Sequence, residues 1–123
     1  MSEWFLVAAG GALGTMARHG LTRYAASSWG SPTLGTFVIN VAGSFVLGIL
    51  MGVLSQRTTV GPEVRWLLAV GFLGGFTTFS TLTAASAQLA LDGDIPRAAL
   101  NVGGSIAAGL AAAFAGLLLG RAV

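Results

Sequence analysis

The chain alternates long apolar stretches with short polar ones. Residues 33–54, 66–91 and 98–120 carry no charged side chain, and residues 4–17 form a shorter stretch of the same kind. A helix needs about 20 apolar residues to cross the hydrocarbon of a bilayer. The three long stretches meet that length, whereas the first meets it only by taking in Arg18 and His19. The pattern predicts four membrane helices with both termini on one side, joined by turns near residues 27–32, 56–63 and 91–96. Pro62 and Pro96 suit the first turn of a helix, where the missing N–H has no intrahelical partner to lose. Asp92, Gly93 and Asp94 are ordinary turn residues. The predicted fold class is all-α, one integral membrane domain over residues 1–123.

Composition agrees with a membrane solvent. Charged residues are 8% of the chain and hydrophobic residues 54%, and the mean hydropathy is +0.83. Soluble domains are about 25% charged. All six basic residues are arginines, scattered singly, so no patch for nucleic acid forms. Without cysteine there is no disulfide framework and no thiolate metal site, and a single histidine builds no metal centre. No cleavable signal peptide is expected, because no basic segment precedes the first apolar stretch.

Orientation normally follows an excess of Lys and Arg on the cytoplasmic side. Four spans would put Arg57, Arg65 and Arg121 on one side and Arg18, Arg23 and Arg97 on the other, three against three. Either Arg18 is buried and does not count, or the protein inserts both ways up and pairs as an antiparallel dimer. Gly10 and Gly14, Gly48 and Gly52, Gly71 and Gly75, and Gly116 and Gly120 all have the four-residue spacing that lets helix backbones approach closely. Four helices are too few to surround a wide lumen, so a transport path is expected at an interface between subunits.

The polar residues inside the stretches narrow the chemistry. The three long ones hold no Asp, Glu, Lys, Arg or His, which argues against a carboxylate proton relay and against an enzyme. Thr36 and Asn40 stand four apart and share a helix face, as do Asn101 and Ser105. Each asparagine either bonds a neighbouring helix or joins a polar track. Arg18 either snorkels to the interface or caps carbonyls of another helix and gathers anions at a vestibule.

The segment "GFLGGFTTFS", residues 71–80, places three glycines, two threonines and a serine inside an apolar stretch. Gly71, Gly74 and Gly75 followed by Thr77 and Thr78 permit a helix break. Broken backbone at membrane depth survives only when buried in protein or lining a polar cavity. Its carbonyls are able to coordinate a cation. The restarted helix carries Phe79, Ser80, Thr81, Leu82 and Thr83. A phenylalanine ring has an electropositive edge that can meet an anion without a full charge in the membrane; the plain alternative for Phe79 is packing.

"GFLGGFTTFST" (71–81), "GTFVIN" (35–40) and the arginine closing the first stretch together resemble the Fluc (CrcB) family of fluoride channels over essentially the whole chain. The resemblance implies a dual-topology antiparallel homodimer in a prokaryotic cell membrane, among its lipids, exporting fluoride passively through two pores built from both subunits. It implies a structural sodium ion at the dimer centre, held by the carbonyls of Gly74 and Thr77. It implies an ion path with Phe79, Asn40, Thr36, Ser105 and Thr81, and Arg18 near the vestibule. Three positions depart from the family pattern. Leu82 stands where a second phenylalanine is usual, Ala85 where a glutamate is frequent, and Gly109 where a second serine follows Ser105. Leu82 raises the alternative of an obligate, homologous second subunit. The rival readings are a small four-helix drug exporter, which would depend on a glutamate inside the first span, and a non-transporting membrane scaffold.

Overall fold

The computed structural model describes residues 2–123, which form helices and no strand. In chain order these are α1 (Glu3–Ser28), α2 (Pro32–Gln56), α3 (Pro62–Val64), a π-helical segment (Arg65–Leu73), α4 (Gly74–Phe76), α5 (Phe79–Leu91) and α6 (Ile95–Ala122). The segments from α3 to α4 follow one another without interruption, and α5 completes the same rod after a break. Three stretches are long and apolar enough to cross a membrane: Pro32–Gln56, Pro62–Leu91 and Ile95–Ala122.

α1 runs well past the apolar stretch, through Arg18 and Arg23. No proline or left-handed residue stops it until Gly30, whose φ is +70°. There the N–H of Ser31 reaches back to the Ala25 carbonyl at 3.3 Å, a glycine-terminated C-cap. Ser31 then starts α2: its hydroxyl accepts from the Leu34 N–H at 3.1 Å, with Pro32 in the first turn. The same device joins α5 to α6. Gly93 has φ +86°, the Asp94 N–H bonds the Leu89 carbonyl at 2.8 Å, and the Asp94 carboxylate accepts from the Arg97 N–H.

Packing rests on glycine rather than on large side chains; among the described residues no bulky side chain is fully buried. α1 lies along the π-helical segment. A Cβ on Gly10 would meet the Leu67 carbonyl and, at 2.8 Å, the Phe72 nitrogen, and one on Gly75 would meet the Gly11 carbonyl at 2.6 Å. α2 lies along α6, where Gly48 faces the Ala113 carbonyl and Gly116 the Phe45 carbonyl. All four spaced glycine pairs are therefore consumed inside one chain, two against two. In both interfaces the contacts advance in the same direction along the two partners, so α1 runs parallel to the π-helical segment and α2 parallel to α6.

In lipid, association of this kind depends on close backbone approach and not on expelling water. Gly116→Ala therefore forces α2 from α6 and is expected to destabilise by about 1–3 kcal/mol. Gly20→Ala, where nothing lies within 4 Å, should gain about 1 kcal/mol of helix propensity. Thermal unfolding in detergent reads both.

The break is present, but not at the glycines. Gly71, Gly74 and Gly75 are all helical, and Gly71 and Gly75 serve the contact with α1. The chain turns extended only at Thr77 (φ −86°, ψ 156°) and Thr78 (φ −150°, ψ 117°). β-branched residues prefer that conformation, which accounts for where the helix gives way.

Candidate functional site

A helix interrupted at this depth must find partners for the N–H and C=O groups it frees. The Leu73 carbonyl accepts twice from Thr77, from its N–H at 3.0 Å and its hydroxyl at 2.9 Å. The Gly75 carbonyl accepts from Nε of Arg18 at 3.0 Å. Arg18 thus caps the C-terminal end of the first half-helix, the end that favours positive charge. Asn40 clamps the break from α2. Its Oδ1 accepts from the Thr78 N–H at 2.8 Å and its Nδ2 donates to the Thr78 carbonyl at 2.9 Å. The Thr78 hydroxyl in turn accepts from the Thr81 N–H at 3.2 Å, capping α5, and donates to the Thr81 hydroxyl at 3.1 Å. Among the described residues, the carbonyls of Gly74, Phe76 and Thr77 receive no such bond.

The clamp forms one end of an open groove of about 400 Å³ between α2, the start of α5 and α6. Asn40, Phe79, Leu82 and Ser105 all line it, and so do Ser44 and Gly109. Gly43 allows the close fit, because a Cβ there would strike the Thr77 methyl. Phe79 stands 72% exposed at the open side, whereas Leu82 is buried in the wall. The Ser105 hydroxyl is buried with no hydrogen-bond partner among the described residues. The N-terminus of α5 opens here too, so the backbone N–H groups of its first turn favour negative charge nearby.

Three expected members lie outside the groove lining: Arg18 is held at the Gly75 carbonyl, and two more lie elsewhere. Thr36 is buried on α2, away from the groove lining, with its hydroxyl donated to the Pro32 carbonyl at 3.2 Å. Thr81 is exposed on α5 beside the cap it shares with Thr78. Asn101 parts from Ser105: its Nδ2 donates to the Ser86 hydroxyl at 2.9 Å, tying α6 to α5. It lines a second groove, with Arg97 and Ser31. Sequence reasoning missed Ser44, although Asn40 and Ser44 show the same four-residue spacing as Asn101 and Ser105. It also missed Thr78 as the residue Asn40 holds.

The chain matches known proteins over nearly all of its length. The sequence model of the family described as "CrcB-like protein, Camphor Resistance (CrcB)" matches residues 5–117. A protein of Chlorobaculum tepidum named "Fluoride-specific ion channel FluC" is 40% identical over 98% of this chain and 96% of its own length. Proteins of the same name from Nitratidesulfovibrio vulgaris and Thermus thermophilus are each 41% identical over the whole of this chain, and over 100% and 98% of their own lengths. With three helices able to cross a bilayer, the chain is a multi-pass membrane protein, and it belongs to the CrcB-like family.

Proposed function

We propose that this chain is one subunit of a passive fluoride channel in the cell membrane, and not an enzyme. The observation that carries the reading is the convergence on one groove of Asn40, the Phe79 ring, the unpartnered Ser105 hydroxyl and the N-terminus of α5. An anion there meets donors and dipoles but no full positive charge. Nδ2 of Asn40 carries two hydrogens and gives one to Thr78, leaving the other for the ion. The Phe79 edge adds a weakly positive surface. Leu82 supplies wall without a quadrupole. Nothing in the groove can take up or release a proton, which suits downhill flow rather than a coupled pump. The FluC names of the relatives supply fluoride as the ion.

The groove is open along one side, and a second copy of the chain in the opposite orientation would close it. At most 22% of the apolar window of any of the three membrane-capable helices is buried within one chain, which leaves ample surface for that partner and for lipid. α1 serves as a fourth span, because Gly10 and Gly14 pack against the π-helical segment inside the third rod. The three-against-three arginine balance supports dual topology. Reporters fused to the C-terminus should then show both cytoplasmic and external populations, and a single orientation in a protein active alone counts against the antiparallel pair.

The chemistry of the break fits sodium. Gly74 and Thr77 present carbonyls with no partner among the described residues, and oxygen ligands suit a hard cation. Two subunits would offer four such oxygens, and the ion would hold the two breaks together. A non-water density with short oxygen contacts between the breaks of a crystallised dimer is the expected result; helix continuous through Thr77 and Thr78 would remove the site.

Efflux from liposomes containing only this chain, with fluoride and then chloride as the test ion, decides the main reading. Fluoride flux without chloride flux is expected. A silent chain rescued by Leu82→Phe or by a co-expressed homologue would mean a second subunit type. A chain silent under all three conditions returns the scaffold reading.

A further inference from the structure

The groove contains a second hydroxyl that has no hydrogen bond among the described residues. Inside an apolar helix a serine or threonine ordinarily satisfies its hydroxyl on the carbonyl four residues back. Thr22, Thr36, Thr77 and Ser86 all do so here, on Arg18, Pro32, Leu73 and Leu82, at 2.8–3.2 Å. Ser44 does not. It sits half-buried on α2, one turn after Asn40, and among the described residues its hydroxyl has no hydrogen-bond partner. Ser105 is another such hydroxyl, buried, and both line the same groove. Leaving a hydroxyl unpaired away from water costs free energy, so two of them on one path call for a ligand.

The place of Ser44 is informative. Its Oγ lies 3.6 Å from where a Cβ on Gly109 would stand. Gly109 is one turn after Ser105 on α6, on the same face. α6 therefore carries a hydroxyl at one level of the groove and none at the next, and at that next level α2 brings a hydroxyl across.

We propose that Ser44 is an ion-path residue, donating its hydroxyl to the anion at the level of Gly109, one helical turn beyond Ser105. This rests on the channel reading above. The anion would step from Ser105 to Ser44, each offering one O–H. Gly109 leaves room for the second contact, because a side chain there would stand beside the Ser44 oxygen.

Liposome fluoride efflux tests this with the whole chain. Ser44→Ala removes one oxygen and no bond within the fold, so the protein should purify with unchanged size and melting temperature. Its flux should fall about tenfold, the scale of losing one donor to a charged partner. Ser44→Ala combined with Gly109→Ser places the hydroxyl on the facing helix at the same level, and should recover most of the flux. The new Cβ at Gly109 meets its nearest neighbour at an ordinary contact distance, so the second change is sterically tolerable. Unchanged flux in Ser44→Ala overturns the assignment. So does a loss that Gly109→Ser fails to repair, since that would mark a packing role. No flux from the unmodified chain, from Leu82→Phe or with a co-expressed homologue fails the channel reading itself, and the assignment with it.

Discussion

Asn40→Ala should abolish fluoride flux and loosen the fold together. One side chain holds both the N–H and the carbonyl of Thr78, at 2.8 and 2.9 Å, in the only extended stretch of the third rod. Alanine leaves both groups without a partner at membrane depth. Each unpaired group costs about 1–3 kcal/mol, so a loss of roughly 2–6 kcal/mol is expected, visible as a lowered melting temperature in detergent. Flux should fall to background, because the Asn40 amide hydrogen disappears and the start of α5 loses its anchor. Asn40→Asp separates the two effects. It keeps an acceptor for the Thr78 N–H and so part of the stability, but it places a carboxylate on an anion path and should remain silent. An Asn40→Ala protein that melts and conducts like the parent would sink both the clamp and the path.

Phe79→Ile should do the opposite: a silenced pore in an intact protein. The ring is 72% exposed in the chain, so the fold within one subunit asks little of it. Isoleucine keeps apolar bulk and removes the electropositive edge. A drop of about tenfold or more is expected, which corresponds to roughly 1.4 kcal/mol at the barrier. Phe79→Tyr retains a ring edge and should conduct measurably. Equal flux from the isoleucine protein and its parent would return Phe79 to packing.

Much of this was legible in the chain itself because apolar length and helix-stop chemistry are local. The three long uncharged stretches became the three membrane-capable rods. The turns fell at Gly30 and Gly93, where a positive φ is needed. The interruption of the third rod was also legible, from glycines followed by threonines, although the glycines stayed helical and the chain opened at Thr77 and Thr78. α1 ran longer than its apolar stretch because nothing in residues 18–28 stops a helix, and hydropathy alone does not register that.

Local pattern along the chain thus set the rods, their apolar character, the existence of a break and the family. The tertiary structure decided which glycines meet which. Gly10 and Gly14 serve the π-helical segment and Gly48 and Gly52 serve α6, a pairing no spacing along one helix encodes, since it depends on which two backbones come within contact. It also decided the fate of each polar side chain. Asn101 turned to Ser86 and Thr36 to its own helix, while Asn40, Ser44 and Ser105 converged on one groove. The physical reason is that a hydroxyl or amide in an apolar surrounding takes the nearest partner in space, and nearness across helices is set by their packing, not by their order in the chain.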